Sequence, residues 1–443
     1  MTDTISAIST APVASGVAVI RLSGSDSLNV AKKMFRPVGN VGVENFEPRK
    51  MYLGEIDCDG FSDMGLMVYF AAPNSFTGED VVEFHSHGGV AITRGILRNT
   101  VKHGARLAVG GEFTKRAFMN GKLSLSSAEG LIEMINGESV AQAKAGYSLY
   151  REKLTKEVNS LQDMLTDALS EIDADMDFPE EDLEIAAHEK VKEALVEVSD
   201  RIKKLLDTYR SGRTIVNGVK VGIVGKPNTG KSSLLNALLS YDKAIVSSVA
   251  GTTRDIVEGS IEINGVRFNF SDTAGIRSSS DEIESMGVML SKKVLDESNI
   301  LLFVLSAVDI DRTDEEIARL IKDKNVLTVI NKCDLKSCDY PADIEVSAKD
   351  GYNIENLKNM LFTRATGGEI DLNGDFICEE RHYDALKRAY DKLTEAIAAA
   401  DTVTLDLLSI DIKAGWDYLG EISGKTATEE IINNIFSKFC VGK

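Results

Sequence analysis

Apolar positions recur at helical spacing through the middle of the chain. Leu154, Val158, Leu161, Leu165, Leu169 and Ile172 follow one another at steps of three and four residues, which places them on one face of a long amphipathic helix. Val191, Leu195, Val198, Ile202 and Leu205 repeat the pattern. Between the two, Asp177-Phe178-Pro179-Glu180-Glu181-Asp182 combines a proline with four carboxylates and predicts the end of one helix and the start of another. Helical spacing resumes from about Arg381. Before residue 120 the runs are shorter and β-rich (Val17 to Leu22, Leu66 to Phe70, Val81 to Phe84), punctuated by Gly, Pro, Asn and Ser, with one helix near Val90 to Val101. That stretch reads as α+β.

These changes of pattern divide the chain into residues 1–119, 120–212, 213–372 and 373–443. The third segment separates two helical ones, so it reads as an insertion that splits one helical domain into two chain halves. Glycines near 212–218 and 367–374 are the expected hinges on either side of it.

Composition adds limits to this picture. The 443 residues suit two to four domains, and 43% hydrophobic with 27% charged is the balance of a folded globular protein. Fifty basic against 69 acidic residues give a net charge of −19, which disfavours nonspecific nucleic-acid binding through phosphate neutralisation. The excess is uneven: the four segments carry 0, −9, −5 and −5. Five scattered cysteines (Cys58, Cys333, Cys338, Cys378, Cys440) have neither disulfide-framework nor zinc-site spacing. No basic and apolar leader opens the sequence and no apolar run approaches the ~20 residues of a membrane span, so the expected location is cytoplasmic, without a membrane partner.

The chemistry is concentrated in the third segment. The apolar strand Val219 to Val224 runs into Gly225-Lys226-Pro227-Asn228-Thr229-Gly230-Lys231-Ser232, and Ser233 leads into a helix. This is a phosphate-binding loop in its required strand and helix context: glycines let backbone N–H groups turn inward, Lys231 reaches the β and γ phosphates, and Ser232 ligates Mg²⁺. Asp272-Thr273-Ala274-Gly275 closes the strand at Phe268 to Phe270, where an Asp can hold the Mg²⁺ shell and a Gly N–H can sense the γ phosphate. Asn331-Lys332-Cys333-Asp334 closes Val326 to Ile330, and Ser347-Ala348-Lys349 follows. A carboxylate at Asp334 accepts from guanine N1 and N2 and repels the acceptor edge of adenine, so the expected nucleotide is GTP.

The segment resembles Ras-like translation-factor GTPases, with one departure. Ile276 stands where Ras-type enzymes carry the glutamine that orients the attacking water. Glu284, Glu282, Asp281, Arg254 and Arg277 are the local candidates for that task.

Over the whole chain the sequence resembles the MnmE (TrmE) family of tRNA-modification GTPases. The resemblance rests on Asp3-Thr4-Ile5, Gly16 to Gly24, Asn74 to Glu83, Gly111-Glu112-Phe113-Thr114, Asp177 to Glu181, Ala244 to Asp255, Asp272 to Arg277 and the terminal Phe439-Cys440-Val441-Gly442-Lys443. It implies a multidomain fold: an N-terminal α+β domain that binds folate and dimerises, a discontinuous α-helical domain, and an inserted Ras-like α/β P-loop G domain. It implies a homodimer that works with the FAD-containing partner MnmG. Together they form an aminomethyl or carboxymethylaminomethyl group at C5 of the wobble uridine of certain tRNAs, with a 5,10-methylene or 5-formyl tetrahydrofolate as one-carbon donor.

Residue by residue, the resemblance assigns folate contacts to Arg21, Glu83, Lys122 and Lys443. A K⁺ site falls to Asn228 of the phosphate-binding loop with Ser247, Val249 and Thr252 of a later loop that also includes Ser248, Ala250 and Gly251. A monovalent cation there supplies charge stabilisation that an arginine finger supplies elsewhere. Thr253 joins Ser232 on Mg²⁺, Glu284 orients the nucleophile through a bridging water, and Cys440 is the thiol of the C-terminal motif. A small buried hydrophobe is the alternative reading of Cys440. His85 and His87 share one side of a strand without further ligands nearby, which argues against a metal pair. The chain departs from the family pattern at Gly110, which replaces a proline, and at Ser127, which replaces a glutamine. The competing reading is a ribosome-assembly or signalling GTPase switch without base chemistry; it has no use for Arg21, Glu83 and Lys122 as a folate site.

Overall fold

The computed structural model describes residues 3–177, 181–240, 259–272, 292–368 and 376–442. They fall into two compact units, one of Met1–Ile132, Leu149–Val198 and Asp391–Lys443, the other of Glu133–Ser148 and Ser199–Tyr390.

The first unit opens with β1 (Ile5–Ile8), β2 (Ser15–Ser23), α1 (Ser27–Met34), β3 (Phe35–Pro37), β4 (Met51–Asp57), β5 (Ser62–Phe70), β6 (Val81–Gly88), α2 (Val90–Lys102), β7 (Arg106–Leu107) and α3 (Glu112–Met119). The strands make a seven-stranded sheet, ordered β3-β4-β5-β6-β2-β1-β7 and antiparallel except between β1 and β7. Ile20, Leu22, Met67, Val82 and Phe84 of the sheet share a buried core with Val30 of α1 and Ile96 of α2. The β-rich runs in the sequence lie inside β2, β5 and β6, and each strand extends past its run. Margin residues such as Ser15 and Ser62 join the hydrogen-bonded ladder without adding to an apolar pattern, and Gly16 lies in a register shift of the β2–β6 pair.

The helical stretch comprises α4 (Leu125–Asn136), α5 (Val140–Tyr150), α6 (Lys153–Asp177), α7 (Glu181–Asp207) and α8 (Tyr209–Asn217). Helix α6 buries Leu154, Val158, Leu161, Leu165 and Ile172 as their spacing predicts, but Ala168 takes the inward place expected of Leu169, which is half-buried. α6 ends and α7 begins on either side of the proline segment.

In the second unit follow β8 (Val219–Val224), α9 (Lys231–Ser240), β9 (Gly259–Ile263), β10 (Val266–Asp272), α10 (Lys292–Glu297), β11 (Ile300–Ser306), α11 (Arg312–Leu320), β12 (Val326–Asn331), β13 (Ile344–Glu345) and α12 (Ile354–Thr366). Its six-stranded sheet has the order β13-β12-β11-β8-β10-β9, parallel except for the β10–β9 pair. Such a sheet needs cover on both faces, and the unbroken burial of β11 shows that it has it. The chain closes with α13 (Glu380–Ala399), α14 (Leu405–Ser423) and α15 (Glu429–Ser437). In the first unit α14 returns to pack along α6, where Gln162 Nε2 donates to the Trp416 carbonyl at 2.9 Å and Trp416 Nε1 donates to Thr166 Oγ1 at 3.1 Å. The stretch 212–218, where a hinge is expected, is helical up to Asn217, and Gly218 ends the helix at φ +69°. Gly212 lies inside α8, where an added Cβ would stand 2.2 Å from the Ile377 carbonyl oxygen, so the glycine serves close packing.

One buried cation organises the N-terminal sheet. Arg116 of α3 is 1% exposed and meets Asp3 at 2.9 Å, Glu79 at 3.1 Å and Glu112 at 3.1 Å. Arg106 adds pairs with Asp3 and Glu112, both at 2.6 Å. The hydrogen bond from Arg106 holds the Asp3 carboxyl below its ordinary range. Burial pushes Glu112 up, but Arg106, the Val109 N–H and Arg116 outweigh it and its pKa is lowered. Carboxylates with depressed pKa values stabilise the fold above the ordinary range of about 4, and that stability drains away as pH falls through it. Arg116→Met strands carboxylates around an apolar side chain, and we expect a loss of about 3–5 kcal/mol in urea unfolding at neutral pH. The gap between wild type and variant narrows below pH ~4. A variant as stable as wild type at neutral pH would show that the cluster organises nothing.

Candidate functional site

The turn from β8 to α9 in the second unit forms a cradle. Gly225 takes φ +148°, and a Cβ on it would meet the Val304 carbonyl oxygen at 2.3 Å; Gly230 takes φ +91°, with its Cβ position 2.3 Å from Asn331 Nδ2. Both positions are thereby closed to side chains, which lets the backbone approach a phosphate. Lys231 Nζ donates to the carbonyls of Gly225 at 2.8 Å and Lys226 at 2.9 Å, folded over the loop that it would share with a phosphate. Ser232 and Ser233 are exposed in the first turn of α9, and β10 ends at Asp272.

The end of β12 braces this loop. Asn331 Nδ2 donates to the Thr229 carbonyl at 3.0 Å while its Oδ1 accepts from the Ala348 N–H at 3.1 Å. Lys332 Nζ donates to the Asn228 carbonyl at 2.7 Å. Ser347 is buried and accepts from the Asp350 N–H at 3.3 Å, turning the chain so that Ala348 and Lys349 follow beside β12. Asp334 stands exposed past the end of β12. Three sequence-distant strings, around Asn228, Asn331 to Asp334 and Ser347, therefore meet at the carboxyl ends of parallel strands, where open α/β sheets bind ligands.

The loop also has an anchor that its motif does not specify. Lys226 is 7% exposed and its Nζ contacts Asp309 at 3.2 Å, Asp311 at 2.9 Å and Asp314 at 3.0 Å. Asp311 is the N-cap of α11, and it and Asp314 form a reciprocal capping box. Burial works against the Lys226 charge, yet the three carboxylates outweigh it and raise its pKa.

A second cluster lies in the first unit. Arg21 of β2 and Glu83 of β6 are register partners, and Arg21 Nε donates to Glu83 Oε1 at 2.7 Å. Glu83 Oε2 faces His85 Nε2 at 3.3 Å. Burial pushes the Glu83 carboxyl up, but His85 and Arg21 outweigh it, and its pKa is lowered. The Arg21 guanidinium also stands 5.7 Å from the Phe76 ring centroid and 5.8 Å from that of Phe113. Lys122 is exposed, with Nζ donating to the Pro73 carbonyl at 2.9 Å. It lines a cavity of about 440 Å³ whose wall includes Phe76 and Ser127.

The alternative reading of Cys440 as a buried hydrophobe is corrected: its side chain is exposed, because the chain end pairs at the surface, with Val441 bridging Gly110 and the Cys440 carbonyl accepting from Gly111 N–H at 3.4 Å. The same bridge restrains the Gly110 loop that lacks a proline. Ser127 is buried, 2.8 Å from Ser124 Oγ. His87 pairs with Asp63 and His85 with Glu83; among the described residues no cluster suits a metal ion. Ser247, Ser248, Val249, Ala250, Gly251, Thr252, Thr253, Thr273, Ala274, Gly275, Glu284 and Lys443 lie outside the described residues. Sequence reasoning missed Lys226, Phe76 and Phe113. Lys226 occupies a free position of the phosphate-loop pattern, and only its partners more than 80 residues away give it meaning.

Lys226→Met removes the cation and leaves the fully buried Asp314 uncompensated, so urea unfolding should show a loss of about 3 kcal/mol. Adding Asp314→Asn should recover part of it. Lys226→Met with wild-type stability, or a double variant weaker than the sum of the two singles, would contradict the anchor.

Comparison with known proteins agrees across the chain. The family model described as "GTP-binding protein TrmE N-terminus" matches residues 4–122, and that described as "MnmE helical domain" matches residues 125–440. The protein "tRNA modification GTPase MnmE" of Clostridioides difficile (strain 630) is 38% identical over 455 residues, covering 100% of this chain and 99% of that protein. Its namesake from Thermoanaerobacter sp. (strain X514) is 39% identical over 459 residues with the same coverage. The solved FeoB G-domain from Methanococcus jannaschii covers 33% of this chain and 97% of its own at 21% identity, with a TM-score of 0.26, too slight a likeness to carry argument. Among the described residues no helix is long and apolar enough to cross a membrane. With both of its ends and its whole length matched in this way, the chain belongs to the MnmE family of tRNA-modification GTPases, multidomain enzymes with an N-terminal α+β domain, a helical domain and a P-loop GTPase domain.

Proposed function

We propose that this chain is a K⁺-dependent cytoplasmic GTPase. Working as a homodimer with the FAD-containing partner MnmG, it forms an aminomethyl or carboxymethylaminomethyl group at C5 of the wobble uridine of certain tRNAs. A 5,10-methylene or 5-formyl tetrahydrofolate supplies the one-carbon unit. The observation that carries the reading is the presence, in one chain of this family, of a phosphate cradle at Gly225–Ser232 and a separate Arg21–Glu83 pair beside a cavity. A GTPase switch has no use for the second. The proposed domain limits are 1–119, 120–212, 213–372 and 373–443.

In the nucleotide site, backbone N–H groups of Asn228 to Ser233 and the Lys231 amine would hold the phosphates, and Asp334 with Asn331 would select guanine. Ser347, Ala348 and Lys349 would complete the base side. Ser232 and Thr253 would hold Mg²⁺, with Asp272 in its outer shell; Asn228, Ser247, Val249 and Thr252 would hold K⁺. Bound there, the cations stabilise the charge that spreads over the phosphates during hydrolysis. Glu284 would orient the attacking water where Ile276 cannot. In the N-terminal site the Glu83 carboxylate, kept ionised by Arg21 and His85, suits the amino groups of a pterin, and Lys122 suits a carboxylate. Cys440, exposed at the chain end, suits a thiol that reacts.

GTP hydrolysis should run on the order of tenfold or more faster in K⁺ than in Na⁺. Glu284→Ala should abolish turnover while GTP still binds. Equal rates in the two salts would remove the K⁺ role, and near-normal turnover in the variant would remove that of Glu284. Separately, 5-formyltetrahydrofolate at a hundredfold excess over Kd should stabilise the fold by about 2.7 kcal/mol. Absence of any thermal shift at saturation would favour the switch reading.

A further inference from the structure

The cavity beside Lys122 has a second cationic wall that the folate assignment does not use. Helix α5 ends at Tyr150, Arg151 follows in the turn, and Glu152 takes φ +63° before α6 begins, a left-handed conformation that a residue other than glycine seldom adopts. Such turns concentrate at functional sites. This one brings Arg151 and, one turn into α6, Lys156 to the cavity that Lys122 also lines. Three cations thus face one carboxylate, Glu152, inside the most acidic segment of the chain. All three cations are exposed, so they are available to an incoming anion. Phe76 lies in the cavity wall and its ring centroid is 5.7 Å from the Arg21 guanidinium, so the Arg21–Glu83 pair stands one aromatic ring away from the cavity. The volume of about 440 Å³ is within the range for organic ligands, and the Phe76 and Tyr150 rings offer flanks for an aromatic linker.

We propose that this wall, Lys122 with Arg151 and Lys156, binds the poly-γ-glutamyl tail of a folate whose pterin is held at Glu83. The inference rests on the folate reading above and deepens it: the preferred donor is a polyglutamylated folate, because each added glutamyl residue presents one more carboxylate to the cations. Lys122 takes the first carboxylates, and Arg151 and Lys156 take those beyond. The contacts are solvent-exposed ion pairs, so each adds modestly and the preference weakens with salt.

The test is equilibrium binding of 5-formyltetrahydrofolate as monoglutamate and as triglutamate to the full-length chain, wild type and the double variant Arg151→Gln/Lys156→Gln. Wild type should bind the triglutamate roughly three- to tenfold more tightly, and the ratio should approach one in the variant and at high salt. Since both residues are exposed, matching thermal unfolding curves establish that the variant folds. Equal affinities in wild type, or a preference that survives in the variant, would overturn this inference and leave the folate reading standing. Failure of both folates to bind would overturn the two together. A variant that keeps the triglutamate preference but loses affinity for tRNA would assign the wall to RNA phosphate instead, and overturn the proposal.

Discussion

A charge taken out of water must be met by its opposite, and in this chain that requirement fixes the parts that matter. Arg116 is almost wholly buried, so Asp3 from ahead of β1, Glu79 from ahead of β6 and Glu112 at the start of α3 must converge on it. Fixing α3 in this way seats Phe113 against Arg21, and Arg21 in turn steadies Glu83. The N-terminal site is therefore built outward from an ion cluster that takes no part in it. The second unit uses the same device. Lys226, also nearly out of solvent, gathers Asp309, Asp311 and Asp314, and ties the base of the phosphate loop to the capped start of α11.

The two anchors explain how rigid cradles coexist with many surface loops. Backbone N–H groups stabilise a phosphate only if they are already aimed, and the loop from Gly225 to Gly230 is held from three directions: by Lys226 below, by Asn331 on Thr229, and by Lys332 on Asn228. In the first unit, the pair Arg21–Glu83 spans neighbouring strands in register, so its geometry is that of the sheet itself. Rigid elements position polar groups better than loops do.

What the sequence disclosed followed from how local its signals are. The helical stripes of α6 and α7 could be read almost residue by residue because burial repeats with the helix turn; Ala168 displacing Leu169 is a shift of one position within the same face. The phosphate loop was legible because glycines and a Lys-Ser pair are required at fixed offsets. Lys226 was not, since its meaning lies in carboxylates 83 to 88 residues further on. The cavity was also hidden: its walls come from residues near 75, 122 and 151, joined only by folding. A glycine's freedom at Gly212 is visible in sequence, and the Ile377 carbonyl pressed against it is not. The apolar neighbours of Cys440 allow a buried reading, whereas the surface bridge at Val441 leaves it exposed.

The net charge of −19 disfavours a broad basic grip on tRNA. The RNA must then be held locally or by a partner. In the proposed function, GTP turnover in this chain serves modification of the wobble base. Mass analysis of tRNA nucleosides from cells lacking the chain tests it most directly: the C5-substituted wobble uridines should disappear, returning with the wild-type gene and not with Lys231→Ala. Unchanged wobble uridines in the deletion strain would contradict it.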